Sequence, residues 1–292
     1  MATRKNNAPK DKRSKMNRAF GIAVIVLAGI TISPIILIIA KLIQKGYKQI
    51  NLEFFTQTAP DTLEAMTAVA NNEIIPGGIL NGISGTLLMV AMAILLAVPI
   101  GILIGLYLYE NASRRYASVV RDISDIVQGI PSIVLGLIAY IWIVKGVTGG
   151  YSALAGSVSL SIMMLPLIVR TTEETMKMVP DTIKEAAVAL GVPYHKVVLR
   201  VLIPSGFSGL MSGILLSISR ILGETAPLML TALGSPIVSL YIDKPTSAVP
   251  LLIWEFYNDP NMVDLIWSSS LFLMGFVLTL NLTAKYIAAK RK

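Results

Sequence analysis

An arginine and a glutamate four residues apart, Arg220 and Glu224, interrupt the long apolar run 203–232. That spacing puts both on one helix face. An ionisable side chain at the centre of a membrane helix costs at least about 2.5–3.5 kcal/mol on insertion scales, so two in one run need a reason. Two readings stand. In the first the pair lines a path for an anion. Arginine offers a planar fork that matches oxyanion oxygens, and Glu224 orients it or closes a gate with it. In the second the charges neutralise each other and bridge neighbouring helices. The pair alone names no anion. Arg170, at the end of an earlier apolar run, is a third candidate for such a path, with snorkelling of its head to the membrane interface as the competing account.

The elements that must position these residues follow from composition. The chain has 292 residues, 54% hydrophobic and only 14% charged, where a soluble domain carries about 25% charge. The fold class read from this is an all-α membrane protein. Six runs reach the length of roughly 20 apolar residues that a spanning helix needs: 19–42, 83–109, 129–147, 152–170, 203–232 and 265–287. Gly149-Gly150 makes a tight turn between the third and fourth. Gly101 and Gly105, and again Gly209 and Gly213, form G-x-x-x-G pairs suited to close helix packing. Pro34, Pro99, Pro166 and Pro227 fall within the spans and are expected to interrupt them.

Charge sets the orientation. The net charge is +8, but no aromatic-interleaved basic patch accompanies it, which argues against a nucleic-acid partner. Basic residues collect in the tail 1–18, in the loop holding Arg114, Arg115 and Arg121, in the loop holding Lys177, Lys184, Lys196 and Arg200, and in 288–292. With six spans all of these share one side. The opposite loops, 43–82 and 233–264, are rich in acids. Both termini are therefore expected in the cytoplasm of a bacterial plasma-membrane protein. No A-x-A-like site follows the first apolar run, so a retained first span is expected rather than a cleaved signal. Pro60-Asp61 and Asn71-Asn72 suggest turns in the first outer loop, with short helices between. The chain has no cysteine and one histidine, His195. That excludes disulfides, thiolate or histidine-rich metal sites and cysteine nucleophiles. His195 and the pair Glu173-Glu174 read as solvated loop residues.

The cytoplasmic loop 171–202 carries a second constellation. Thr182 and Glu185 fit a capping box, Ala186 to Leu190 continue a helix, and Gly191 is placed to end it. Pro193 can open a second short helix and Pro204 the fifth span. An alanine-rich helix of about two turns suits docking into a partner's groove; a simple cap on the bundle is the alternative. No G-x-x-x-x-G-K-[ST] phosphate-binding loop occurs, so the chain has no nucleotide site of its own.

Glu185-Ala-Ala, three residues, Gly191, nine residues, then Val201-Leu-Ile-Pro204 resembles the EAA signature of the permeases of ATP-binding-cassette importers, with Val201 and Ile203 departing mildly from it. Arg220-Ile-Leu-Gly-Glu-Thr-Ala-Pro-Leu228 and Gly129-Ile-Pro-Ser-Ile-Val-Leu-Gly136 are similar to segments of the phosphate permeases, the first closer to PstA-type than to PstC-type subunits. The similarity covers roughly 80–285. It implies a type I importer permease of MetI-like architecture that performs no covalent chemistry itself. The implied partners are a second, PstC-like permease, two copies of a PstB-like ATPase that binds the ATP, and an external PstS-like phosphate-binding protein. The chain itself would hold no cofactor and no metal. Glu185, Ala186, Ala187, Gly191 and Pro204 would form the coupling segment and Arg220 and Glu224 the charged residues of the path. An importer of sulfate or molybdate, or an ion-gradient-driven transporter, are the competing functions.

Overall fold

The computed structural model describes residues 8–290; residues 1–7, with Arg4 and Lys5 of the basic tail, and Arg291-Lys292 lie outside the described residues. Among the described residues four helices are long and apolar enough to cross a membrane, and the count is up to six if each of two bent helix pairs is one span. The first, α1 (Ala8–Gly46), starts within the expected tail and runs unbroken past Pro34. Its apolar stretch is covered by nothing in this chain. It is tied down at its far end, where Ser268 Oγ donates to Gly46 O at 2.7 Å and Lys45 Nζ lies 5.1 Å from the Trp267 ring.

Two short helices follow, α2 (Leu52–Thr56) and α3 (Thr62–Ala70). Asn51 caps α2, its side chain accepting from Phe54 N, and Asp61 with Glu64 forms a capping box on α3. The turn after α3 is left-handed at Asn72 (φ 56°). The first outer loop is thus folded as turns with short helices between them, as the sequence suggests. Phe54, Ile75 and Ile79 bury against Val249, Leu252 and Phe256 in an apolar cap.

The centre of the bundle is α4 (Leu80–Glu110) against α7 (Ala153–Lys177). Added methyls at Gly101 and Gly105 of α4 would strike Ile168 and Thr172 of α7; at Gly209 and Gly213 they would strike Thr175 and Thr171. Both glycine pairs therefore serve one purpose, letting two helices approach α7 from different sides. Met89, Ala93 and Ala97 meet Leu160, Met164 and Ile168 in the largest core cluster, joined by Ile218, Ile221 and Leu222.

The third span departs from a plain helix. Between it and α4 lies α5 (Arg115–Gly129), and the chain turns 104° at Ile130-Pro131. Ile130 is extended (φ −71°, ψ 134°), as a residue before proline prefers. The span proper starts at Ser132 as α6 (Ser132–Ala139) and continues as a nine-residue π-helix, Tyr140–Thr148, ending at left-handed Gly149 (φ 67°). Thr148 Oγ1 donates to Ile143 O, five residues back, in keeping with the wider turn.

Past α7 come α8 (Asp181–Ala189), α9 (Tyr194–Val197) and a π-turn, Val198–Leu202, leading to α10 (Ile203–Ser205). The chain bends 73° before α11 (Phe207–Leu222). The fifth span is not one helix. The 16 residues of α11 give about 24 Å of rise, short of the ~30 Å hydrocarbon core. The helix stops at Gly223, and α12 (Ala226–Thr231) resumes after it. Pro227 follows this break at the start of α12, as the sequence expectation has it, and packs against Gly136 of α6, whereas Pro34, Pro99 and Pro166 lie inside unbroken helices, correcting that expectation. The outer segment then folds through α13 (Val249–Tyr257) into α14 (Val263–Lys290), the sixth span.

Candidate functional site

Along α11, Ser212, Leu216 and Arg220 are exposed and Ser208 is half-buried, four residues apart each time, with Glu224 next in the series. The opposite face, Leu210, Gly213, Ser217 and Ile221, is buried. The helix thus turns a stripe that is polar except at Leu216 away from its own bundle, at the depth of an apolar span. Arg220 Nε lies 3.9 Å from Glu224 Oε1, with the side chains 39% and 20% exposed. This is an ion pair too long to be a good hydrogen bond. Among the described residues the Arg220 guanidinium makes no hydrogen bond to this chain, so its five N–H donors remain open to a ligand. Glu224 stands in the break between α11 and α12. Unwound backbone at membrane depth is tolerated where it lines a cavity or is covered by protein. Beside Arg220, Ser219 and Asn281 of α14 exchange hydrogen bonds at 2.8–3.0 Å and fix α11 against α14.

Arg170 does not join this pair. It lies at the level of Thr171, which faces Gly213. Gly213 is seven residues from Arg220, about 10 Å along the helix. Arg170 Nε bonds Glu174 Oε1 at 3.1 Å, and Nη1 lies 3.5 Å from Asp125. It borders a cavity of about 200 Å³ together with Arg121, Glu173 and Lys177.

Glu173 is buried, not solvated as its sequence position suggests; its side chain is 7% exposed. Arg121 Nε reaches both carboxylate oxygens, at 2.9 and 3.1 Å, and Lys177 Nζ lies 2.6 Å from Oε1. Arg121 also donates to the carbonyls of Leu108 (3.2 Å) and Ala112 (3.4 Å). One guanidinium therefore joins α5, α7 and the end of α4. Removing one partner of such a buried pair costs about 3–5 kcal/mol because the other charge is stranded. The Glu173–Lys177 spacing of four was visible in the sequence; the arrival of Arg121 from 52 residues away was not.

The segment 181–192 forms the helix the sequence calls for, with one correction. Pro180 is the N-cap and no side-chain cap bond forms, so Thr182 lies inside α8 and makes no capping box. The C-terminus is as expected. Gly191 is left-handed (φ 76°), its N–H bonds Val188 O at 2.9 Å, and Val192 N bonds Ala187 O at 3.3 Å. This is a Schellman closure. Ala187 packs toward the cluster of Leu106, Met176 and Val197. Glu185, Ala186, Val188, Ala189 and Leu190 are exposed, Leu190 at 83%. Small residues on that face leave the backbone accessible to a groove. Pro204 lies in α10, just before the 73° bend, and His195 is exposed.

At the other end of the bundle, Asp61, Glu255 and Asp259 line a second cavity of about 200 Å³. Burial pushes the Glu255 carboxyl above the usual range, whereas Asp259, accepting from the Asn261 N–H, is held below it. Among the described residues no group of three or more histidine, cysteine or carboxylate side chains is placed to hold a metal ion.

Residues 97–290 match the family model described as "Binding-protein-dependent transport system inner membrane component". Phosphate transport system permease protein PstA of Xylella fastidiosa is 38% identical over 255 residues, covering 86% of this chain and 85% of that protein. The Yersinia pestis protein of the same name is 35% identical over 261 residues (88% and 85%). PstA 1 of Mycobacterium tuberculosis is 37% identical over 229 (75% and 74%). Among solved structures, the chain is similar in fold to a chain of the inward-facing MetNI methionine ABC transporter (TM-score 0.58, 19% identity, 73% of this chain and 93% of that one). It is also similar to a chain of a bacterial alginate ABC transporter in complex with a periplasmic protein (TM-score 0.61, 14% identity, 98% of each).

Proposed function

The chain belongs to the binding-protein-dependent transport system inner membrane components, among the PstA phosphate permeases, and from that premise we propose that it carries inorganic phosphate across the plasma membrane as one half of a two-permease path. The observation that carries the proposal is the polar stripe of α11, with the free donors of Arg220 beside a broken helix, facing outward where a second, PstC-like permease would close the channel. Arg220 offers the anion a transient, charge-assisted site. Glu224 holds the guanidinium in reach and weakens the site enough to release.

Energy comes from outside the chain. Two copies of a PstB-like ATPase bind the ATP, and the exposed face of α8 with Glu185, Ala186, Ala187 and Gly191 docks into a groove on one of them; Pro204 sets the bend that joins this segment to α11. A loaded PstS-like binding protein delivers phosphate to the folded outer segments around α2, α3 and α13. The basic loops and both termini then lie in the cytoplasm. ATP-driven closure of the ATPases moves α8 and switches the open side of the bundle, as an alternating-access transporter requires. The chain itself acts as a path and performs no covalent step.

Selectivity is the part closest to this site. In cells that depend on this importer, labelled-phosphate uptake is expected to be unchanged by a hundredfold excess of sulfate or molybdate. Inhibition by either would keep the importer and reassign its anion.

A further inference from the structure

The docking helix α8 is joined by chain connectivity to α11, through α9 and the π-turn. Its side chains make a different connection. Lys184 Nζ bonds both carboxylate oxygens of Glu110, at 2.8 Å each, and Glu110 is the last residue of α4. The same ammonium lies 5.2 Å from the Tyr109 ring and 5.5 Å from the Tyr194 ring. One turn earlier, Tyr109 Oη donates to Asp181 Oδ1 at 3.3 Å. Asp181, Lys184 and Ala187 are spaced by three and share one face of α8. Lys184 and Ala187 are half-buried against the bundle, Asp181 stays exposed at its edge, and Glu185, Ala186 and Ala189 occupy the exposed face.

Lys184 and Glu110 are each 25% exposed, so most of their surface is shielded from water. Screening weakens such a pair less than one on an open surface. Two aromatic faces hold the ammonium in addition. What lies beyond Glu110 gives the contact its consequence. The 31 residues of α4 run without a break to the opposite end of the molecule. There Thr86 Oγ1 accepts from Val249 N at 2.9 Å, Asn81 Nδ2 donates to Ser235 O at 2.8 Å, and Ile79 N bonds Phe54 O. A single continuous helix, with Pro99 inside it, thus joins the docking helix to the outer loops.

We propose that the Lys184–Glu110 ion pair, clasped by Tyr109 and Tyr194, is the link that carries movement of α8 into α4 and so to the outer face, in parallel with the covalent route into α11. The inference rests on the importer reading above. Glu110 is a positioning residue: it acts through Lys184, whose ammonium its carboxylate holds. Lys184 shares that role from the half-buried side of α8.

The test is a charge exchange in the reconstituted importer with its ATPase and loaded binding protein. Glu110→Lys is expected to retain ATPase co-purification and basal ATP hydrolysis but to lower phosphate delivered per ATP at least fivefold. Adding Lys184→Glu is expected to bring that ratio back to within twofold. The chain has no cysteine, so Glu110→Cys with Lys184→Cys, assembled with partner subunits freed of accessible cysteines, gives one site for a short bis-maleimide that adds to both thiols, and the linked protein is expected to remain coupled. An unchanged ratio in Glu110→Lys, no recovery in the exchanged pair, or loss of coupling on linking would each overturn the proposal. An unsubstituted protein that transports without ATP would instead overturn the importer reading beneath it.

Discussion

Deleting residues 182–191 is expected to abolish co-purification of the ATPase and, with it, ATP-driven uptake. This is the largest effect the account expects, because the deletion removes the whole exposed face of α8 together with its Schellman closure at Gly191. Loop excision also shortens the route from α7 to α9, so a milder variant accompanies it. Ala186→Arg alters one exposed position and leaves the contacts of Asp181, Lys184 and Ala187 in place. A long charged side chain in the middle of the docking face is expected to lower ATPase retention at least tenfold while the permease pair still assembles. Pull-down of the detergent-solubilised complex measures both variants. Undiminished retention in both would contradict docking at α8.

Replacing Arg220 with Gln is expected to cut phosphate uptake roughly 10- to 100-fold, from the ~1.5–3 kcal/mol that a hydrogen bond to a charged group contributes. Assembly should survive. Arg220 is partly exposed, its ion pair is long, and the core contacts of α11 run along the other face through Leu210, Gly213 and Ile221. Glutamine keeps a polar head of shorter reach but cannot offer a charged fork. Counting complexes by ATPase content and uptake by label separates the two quantities. Wild-type uptake per assembled complex would remove Arg220 from the path.

What was legible in the sequence was local. The helix at 181–189 and its stop at Gly191 depend on neighbours within a few residues, so spacing alone placed them. Small residues at fixed spacing revealed the two glycine pairs, though not that both press on α7. Four of the six runs correspond to single helices long enough to span and the other two to bent helix pairs, because hydropathy is blind to continuity. The apolar residues on both sides of Gly223–Thr225 concealed the break between α11 and α12. They equally concealed the π-helical stretch at Tyr140–Thr148. Glu173 read as solvated because its burial depends on Arg121, brought to it by the turn at Pro131. Phe54 likewise completes its burial against residues some two hundred positions away, Val249, Leu252 and Phe256. Arg170 and Arg220 both looked like path residues because each is an arginine near an apolar run. The structure gives Arg170 acidic partners on α5 and α7 and leaves Arg220 with open donors.

The most direct measurement is labelled-phosphate uptake by liposomes holding this chain with its partner permease and ATPase, supplied with loaded binding protein outside and ATP inside. The account predicts accumulation that requires both ATP and binding protein. Accumulation that proceeds without ATP would contradict it.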